Sequence, residues 1–133
     1  MIVDTSALLA VLFDEPEAED FARAIARAQV SRMSAANLLE AGIVADSQTD
    51  PRTGRQLDAL VANFHLSIEP VTEDQVRIAR QAYLNYGRGN HPAKLNFGDC
   101  FAYALAKTTG EPLLFKGDDF EQTDIKAYRS AGN

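Results

Sequence analysis

The sequence predicts an α/β sandwich built on a short, mainly parallel central sheet. Three observations carry this. Short apolar runs recur along the 133 residues, helical stretches long enough to be crossovers separate them, and no internal repeat, linker or low-complexity block breaks the alternation. A chain of this length buries enough surface to fold without staples, and residues 1–133 are expected to form a single domain.

The first strand is Met1-Ile2-Val3, which stops at the polar turn Asp4-Thr5-Ser6. Residues 7–13 have helix-forming composition, with Ser6 or Asp4 able to cap them. Glu15-Pro16-Glu17 opens a helix through Ala28, since proline and acids suit a first helical turn; Phe21, Ile25 and Ala28 share one of its faces. Gln29-Val30-Ser31 reads as a short strand. Ser34 caps a helix over 35–47, where Leu39, Ile43 and Val44 recur at helical spacing. Asp50-Pro51 starts another, with Leu57, Leu60, Val61 and Phe64 on its apolar face. Residues 66–71 alternate like a strand and stop at Pro70, and 72–86 are helical again. Gly87, Gly89, Asn90 and Pro92 make 87–96 the densest loop signal. Asn96 or Gly98 precedes a helix through Lys107 that Thr109-Gly110 ends, and Pro112 to Phe115 is the last strand.

Composition narrows the function classes. The lone Cys100 excludes an internally disulfide-bonded scaffold and fits a reducing compartment; beside Phe101 and Ala102 it reads as inert core. The apolar stretch 7–13 has acidic flanks and is too short for a membrane span or a signal segment, so a soluble cytoplasmic protein with no membrane partner is expected. Thirteen basic against nineteen acidic residues give a net charge of −6, which argues against coating nucleic acid by bulk electrostatics. A local site for nucleic acid remains open. His65 and His91 show no metal or triad spacing.

Four acidic positions lie among apolar neighbours. Asp4 follows Ile2-Val3, and Asp118-Asp119 follow Leu113-Leu114-Phe115, both just past strand ends, where parallel sheets gather function. Glu40 shares a helical face with Ala36, Ile43 and Val44, the face expected to be buried, and Asp99 lies one turn from Ala102 and Tyr103. Singly, Asp4 reads as an N-cap, Asp99 as part of a capping arrangement with Asn96, and Asp118-Asp119 as an Asx turn. Glu40 is harder to place that way, because an unpaired carboxylate on a buried face is costly. Together they form a mutually repulsive cluster that hard divalent ions resolve, Mg²⁺ or Mn²⁺ above all. Such a cluster predicts phosphodiester cleavage by water that a divalent ion activates.

The residues that carry these acids resemble a known family. Ile2-Val3-Asp4-Thr5-Ser6, then Ala36-Asn37-Leu38-Leu39-Glu40, then Leu95-Asn96-Phe97-Gly98-Asp99-Cys100, then Lys116-Gly117-Asp118-Asp119-Phe120 are, in order and spacing, similar to a PIN domain, and more narrowly to the VapC-type toxins of bacterial toxin–antitoxin modules. The resemblance runs from Met1 to about Ile125. It implies a three-layer α/β/α sandwich and a Mg²⁺- or Mn²⁺-dependent endoribonuclease. It also implies a homodimer neutralised by a cognate VapB-type antitoxin, which could block an acidic cleft with an arginine-bearing tail. Position by position, Asp4, Glu40 and Asp99 match the family's acidic ligands. The fourth acid is Asp118, with Asp119 as alternate, and Thr5 or Ser6 matches the hydroxyl that supports the first aspartate.

Between Arg77 and Lys94 the chain has four basic residues, Arg77, Arg80, Arg88 and Lys94, and no acid. Tyr83, Tyr86 and His91 are interleaved. Arginine and tyrosine stack on unpaired bases and cations meet phosphates, so Arg80, Arg88 and Lys94 are candidate RNA contacts; a solvated helix face with a basic end is the plainer alternative. Two other functions fit less well. A PIN-like module without turnover would serve only interaction, although the retained acids argue against it. A receiver-like phosphoacceptor would want an acidic pair after its first strand, where only Asp4 stands.

Overall fold

A computed structural model describes residues 1–89 and 91–129. Four parallel strands, β1 (Ile2–Val3), β2 (Arg32–Ser34), β3 (Ser67–Glu69) and β4 (Leu113–Leu114), form one sheet in the order β3-β2-β1-β4. Ile2 pairs with both Arg32 and Leu113, so β1 is central. The crossovers are helical throughout: α1 (Thr5–Leu12) and α2 (Ala18–Arg27), α3 (Ala35–Asp46) and α4 (Thr53–Asn63), then α5 (Glu73–Tyr86) and α6 (Phe97–Thr109). The chain winds outward from β1 to β3 and then returns to the other side of β1. The strand order therefore reverses between β1 and β4, the point in such sheets where ligands bind outside the carboxyl ends of the strands.

Alternation along so short a sheet divides the core in two. Val3, Met33 and Leu114 point to one face, against Ala7, Leu8, Ala24, Ile25 and Leu57 of the first four helices. Ile2 and Leu113 point to the other, against Ala82, Ala102, Leu105 and Ala106 of α5 and α6. This is the expected three-layer α/β/α arrangement. Arg32, on the inner strand β2, links the start of the sheet across strands, bonding Glu69 and Glu111 at 2.9 Å each, while the N-terminal ammonium bonds Glu111 at 2.5 Å.

Four details differ from the sequence reading. Strand β2 is Arg32–Ser34 and not 29–31: Val30 is exposed, and Ser31 Oγ turns back to the Ile25 carbonyl at 3.1 Å, which closes the helix before the strand begins. Helix α2 starts at Ala18, after a turn at Glu15-Pro16-Glu17. Phe13, the last residue of the stretch 7–13 read as helical, lies just past the end of α1 and is 39 % exposed. On α3 the buried residues are Asn37, Ala41 and Ala45, while Leu39 and Ile43 face outward. Small side chains let α3 approach α1 and α6 closely, and that close packing outweighs the larger apolar area of Leu39 and Ile43. The expected loop over 87–96 is pinned at its base by a bridge between Gly87 and Leu95; Asn90 lies outside the described residues.

Candidate functional site

Asp4 caps α1: its Oδ2 accepts from Ser6 N at 3.1 Å and from Ser6 Oγ at 2.6 Å. Ser6 Oγ in turn accepts from Lys116 N at 2.9 Å. One hydroxyl therefore bridges the ends of β1 and β4 across the switch point. The match to a supporting hydroxyl belongs to Ser6; Thr5 Oγ1 instead donates to the Asn37 carbonyl at 3.2 Å, inside the core. Lys116 is held in place by ion pairs to Glu15 and Glu17.

Asp99 completes a capping box with Asn96, whose backbone N donates to Asp99 Oδ2 at 3.0 Å while Asn96 Oδ1 accepts from Asp99 N at 2.9 Å. The capping role and the site role coexist, because capping uses one carboxylate oxygen. Glu40 extends from α3 toward the same turn. A Cβ on Gly98 would lie 2.2 Å from Glu40 Oε2, so only glycine leaves room for that carboxylate at the start of α6.

These acids feel one another. Burial, above all, raises the Asp4 carboxyl to about 6; the hydrogen bonds from Ser6 oppose the rise and the charge of Glu40 adds to it. Burial also dominates at Asp99, raising it to about 7, with Asp4, Asp119 and Glu40 contributing repulsion. Asp119 is among the charges that raise Asp99; Asp118, the residue favoured on sequence, stands beside it, and both are exposed. Gly117, at φ 97°, makes the turn that separates the pair from β4. Among the described residues no cation pairs with Asp4, Glu40, Asp99, Asp118 or Asp119.

That is a site of hard oxygen donors with uncompensated charge, which suits Mg²⁺ or Mn²⁺ in kind. Among the described residues no three acidic, histidine or cysteine side chains already stand as a ligand group. A small divalent ion needs no such cage, since Mg²⁺ is commonly held by one or two carboxylates and keeps several waters. Cys100, buried next to Asp99, is no competing nucleophile: burial and then the Asp99 charge raise its thiol to about 11.

The basic residues sort differently. Arg77 is engaged by Glu73 and Asp74 on α5. Arg80, Arg88 and Lys94 are exposed and, among the described residues, make no ion pair. Arg88 and Lys94 stand on the pinned loop that leads into α6, where Arg88 N donates to Leu95 O at 2.9 Å. Sequence reasoning missed Asn37 and Gly98. A polar residue one turn before Glu40 and a glycine next to Asp99 were the signals available.

Comparison with known proteins places this geometry. A family profile for the PIN domain matches residues 1–126. Ribonuclease VapC28 of Mycobacterium tuberculosis is 56 % identical over 127 residues, covering 95 % of this chain and 96 % of its own. Ribonuclease VapC of Mycolicibacterium smegmatis is 49 % identical over 127 residues, covering 96 % and 98 %. Among solved structures, M. tuberculosis VapC20, a Sarcin–Ricin loop-cleaving toxin, superposes with a TM-score of 0.78 at 17 % identity, over 97 % of this chain and 98 % of that one. A toxin–antitoxin complex from Klebsiella pneumoniae matches with a TM-score of 0.69 at 17 % identity, over 92 % of each chain.

Proposed function

The chain belongs to the PIN-domain family, in its VapC ribonuclease branch, and from that membership we propose an endoribonuclease toxin whose acidic site hydrolyses RNA phosphodiester bonds with the help of Mg²⁺ or Mn²⁺. The observation that carries the reading is the convergence of Asp4, Glu40, Asp99 and Asp119 from four separate stretches of chain, with no cation among the described residues to balance them. A bound divalent ion would supply charge neutralisation and activation of water. Asp4 and Asp99 are its proposed ligands, with Asp119 preferred to Asp118 as the fourth acid. Glu40, reaching from α3 toward the first turn of α6, would orient the attacking water. Ser6 keeps Asp4 in one rotamer and ties it to the β4 end, so the carboxylates are placed before substrate arrives. Water adds to phosphorus as the P–O bond to the leaving ribose oxygen breaks, the water giving up a proton and the leaving oxygen taking one up from solvent; a bound cation would offset the repulsion between these acids and the phosphate.

The decisive experiment is cleavage of structured RNA by the purified protein with Mn²⁺ and with EDTA. Cleavage only with the metal supports the reading; binding without cleavage would favour a module that has lost turnover. Within the site, Asp119→Asn is expected to lower kcat at least about tenfold and Asp118→Asn less than about threefold. The reverse order in single-turnover assays would restore Asp118 as the fourth acid.

RNA is proposed to reach the acids across Arg80, Arg88 and Lys94. Reversing Arg88 and Lys94 to glutamate should weaken RNA binding and flatten its salt dependence by roughly two in log–log slope. Unchanged affinity across a salt titration would leave these residues as a solvated surface. An antitoxin partner follows from the VapC kinship, and a tail bearing arginine suits a negative cleft. A cytoplasmic location accords with the lone reduced cysteine, and no described helix is long and apolar enough to cross a membrane. The proposed homodimer has a face to use: Tyr83, Leu84, Phe97 and Phe101 line an apolar groove of about 680 Å³ between α5 and α6, and Phe97 is 78 % exposed. Phe97→Glu is expected to convert a dimer to a monomer in light-scattering measurements.

A further inference from the structure

Helix α3 turns small and polar residues inward, and one of them, Asn37, is fully buried beside the acids. Its Nδ2 donates to the Gly98 carbonyl at 3.0 Å and to Glu40 Oε1 at 3.4 Å. Its backbone carbonyl accepts from Thr5 Oγ1 at 3.2 Å. Thr5 follows Asp4, Gly98 precedes Asp99, and Glu40 lies one helical turn beyond Asn37. A single residue therefore touches all three elements that carry the principal acids. Gly98 closes the arrangement from the other side, since Glu40 occupies the space a Cβ there would need.

We propose that Asn37 is a positioning residue for RNA cleavage: its amide holds Glu40 against the first turn of α6 and so fixes the placement of Glu40 relative to Asp99. This rests on the acids being the cleaving site. The other end of the amide separates positioning from packing. Asn37 Oδ1 is buried and has no hydrogen-bond partner among the described residues. A buried acceptor without a donor costs stability, and an apolar side chain of similar shape would fill the space without that cost. Packing alone does not account for an amide here; orientation of Glu40 does.

The test compares Asn37→Leu and Asn37→Ala with the parent protein, in cleavage of a defined RNA with Mn²⁺ and in thermal unfolding. Each substitution is also made in a Glu40→Gln background. Asn37→Leu is expected to unfold close to the parent temperature, yet to lower kcat by roughly 10- to 100-fold with KM changed less than about threefold. In the Glu40→Gln background the same change should cost less than about threefold, because residues that act through one another are not additive. Unchanged kcat in a folded Asn37→Leu protein would overturn the proposal, as would an equal loss in both backgrounds. A loss that only tracks the folded fraction, or failure of both variants to fold, would make Asn37 structural and overturn it too. Parent-level cleavage by the Glu40→Gln protein itself would instead defeat the site reading, a distinct result.

Discussion

Replacing Asp4 or Asp99 with asparagine removes RNA cleavage and, in metal-free buffer at pH 7.5, makes the protein more stable. The first effect follows from the loss of charged oxygen donors at the centre of the site, and a fall of at least about a thousandfold in kcat/KM is expected. The second follows from the carboxyl groups themselves. Folding raises Asp4 to about 6 and Asp99 to about 7, against an ordinary carboxyl value of 3.8 for both. Between 3.8 and those values the folded protein binds more protons than the unfolded chain, so stability falls as pH rises through that window. Below the window both states are protonated and the cost vanishes; above it the cost is complete. For the nearly fully buried Asp4 this amounts to about 2–3 kcal/mol. Asparagine keeps the shape and an acceptor for Ser6, which preserves the cap, while the charge is gone. Unfolding midpoints taken from pH 3 to 8 should show each variant level with the parent at the acid end and several degrees above it at neutral pH. A variant less stable than the parent at every pH would mean that these carboxylates serve the fold, contrary to the site reading.

What the sequence makes legible is whatever depends on local chemistry. The caps are narrowed to Asp4 or Ser6 and to Asn96 or Gly98, of which the fold uses Asp4 and Asn96, and Gly110 marks its helix end at φ 72°. Periodicity fails on α3, where Leu39 and Ile43 outweigh Ala41 and Ala45 in apolar area yet lie outside. The helix packs by closeness, and closeness favours small residues, which a count of large apolar side chains ignores. The same error hides Asn37, whose place in the core only becomes visible once α6 and the start of α1 are set beside α3. Choosing between Asp118 and Asp119 was beyond local reasoning for a related cause. Both are exposed loop residues after the turn at Gly117, and their bearing on Asp99, nearly twenty residues earlier in the chain, is a matter of tertiary placement that local sequence does not carry.

Removal of divalent ions should abolish cleavage, and their return should stabilise the fold in a pH-dependent way that ties the cation to these acids. EDTA is expected to bring cleavage to background, with Mg²⁺ or Mn²⁺ restoring it and Ca²⁺, larger and less exacting in geometry, restoring it poorly. At pH 7.5 the acids are largely ionised and mutually repulsive, so a cation that binds only the folded state raises the unfolding midpoint by mass action; at a hundred times its dissociation constant the gain is about 2.7 kcal/mol. At pH 5, below the raised values of about 6 for Asp4 and about 7 for Asp99, protons already hold the ligand oxygens and the same concentration of Mn²⁺ should shift the midpoint little. Asp4→Asn should lose most of the neutral-pH shift while keeping its own higher baseline, so the ion and the substitution relieve the same strain by different means. An equal Mn²⁺ shift in Asp4→Asn and the parent would place the cation elsewhere on the protein. Both scans need only purified protein and a fluorescence-monitored melt, and neither depends on knowing which RNA is cut.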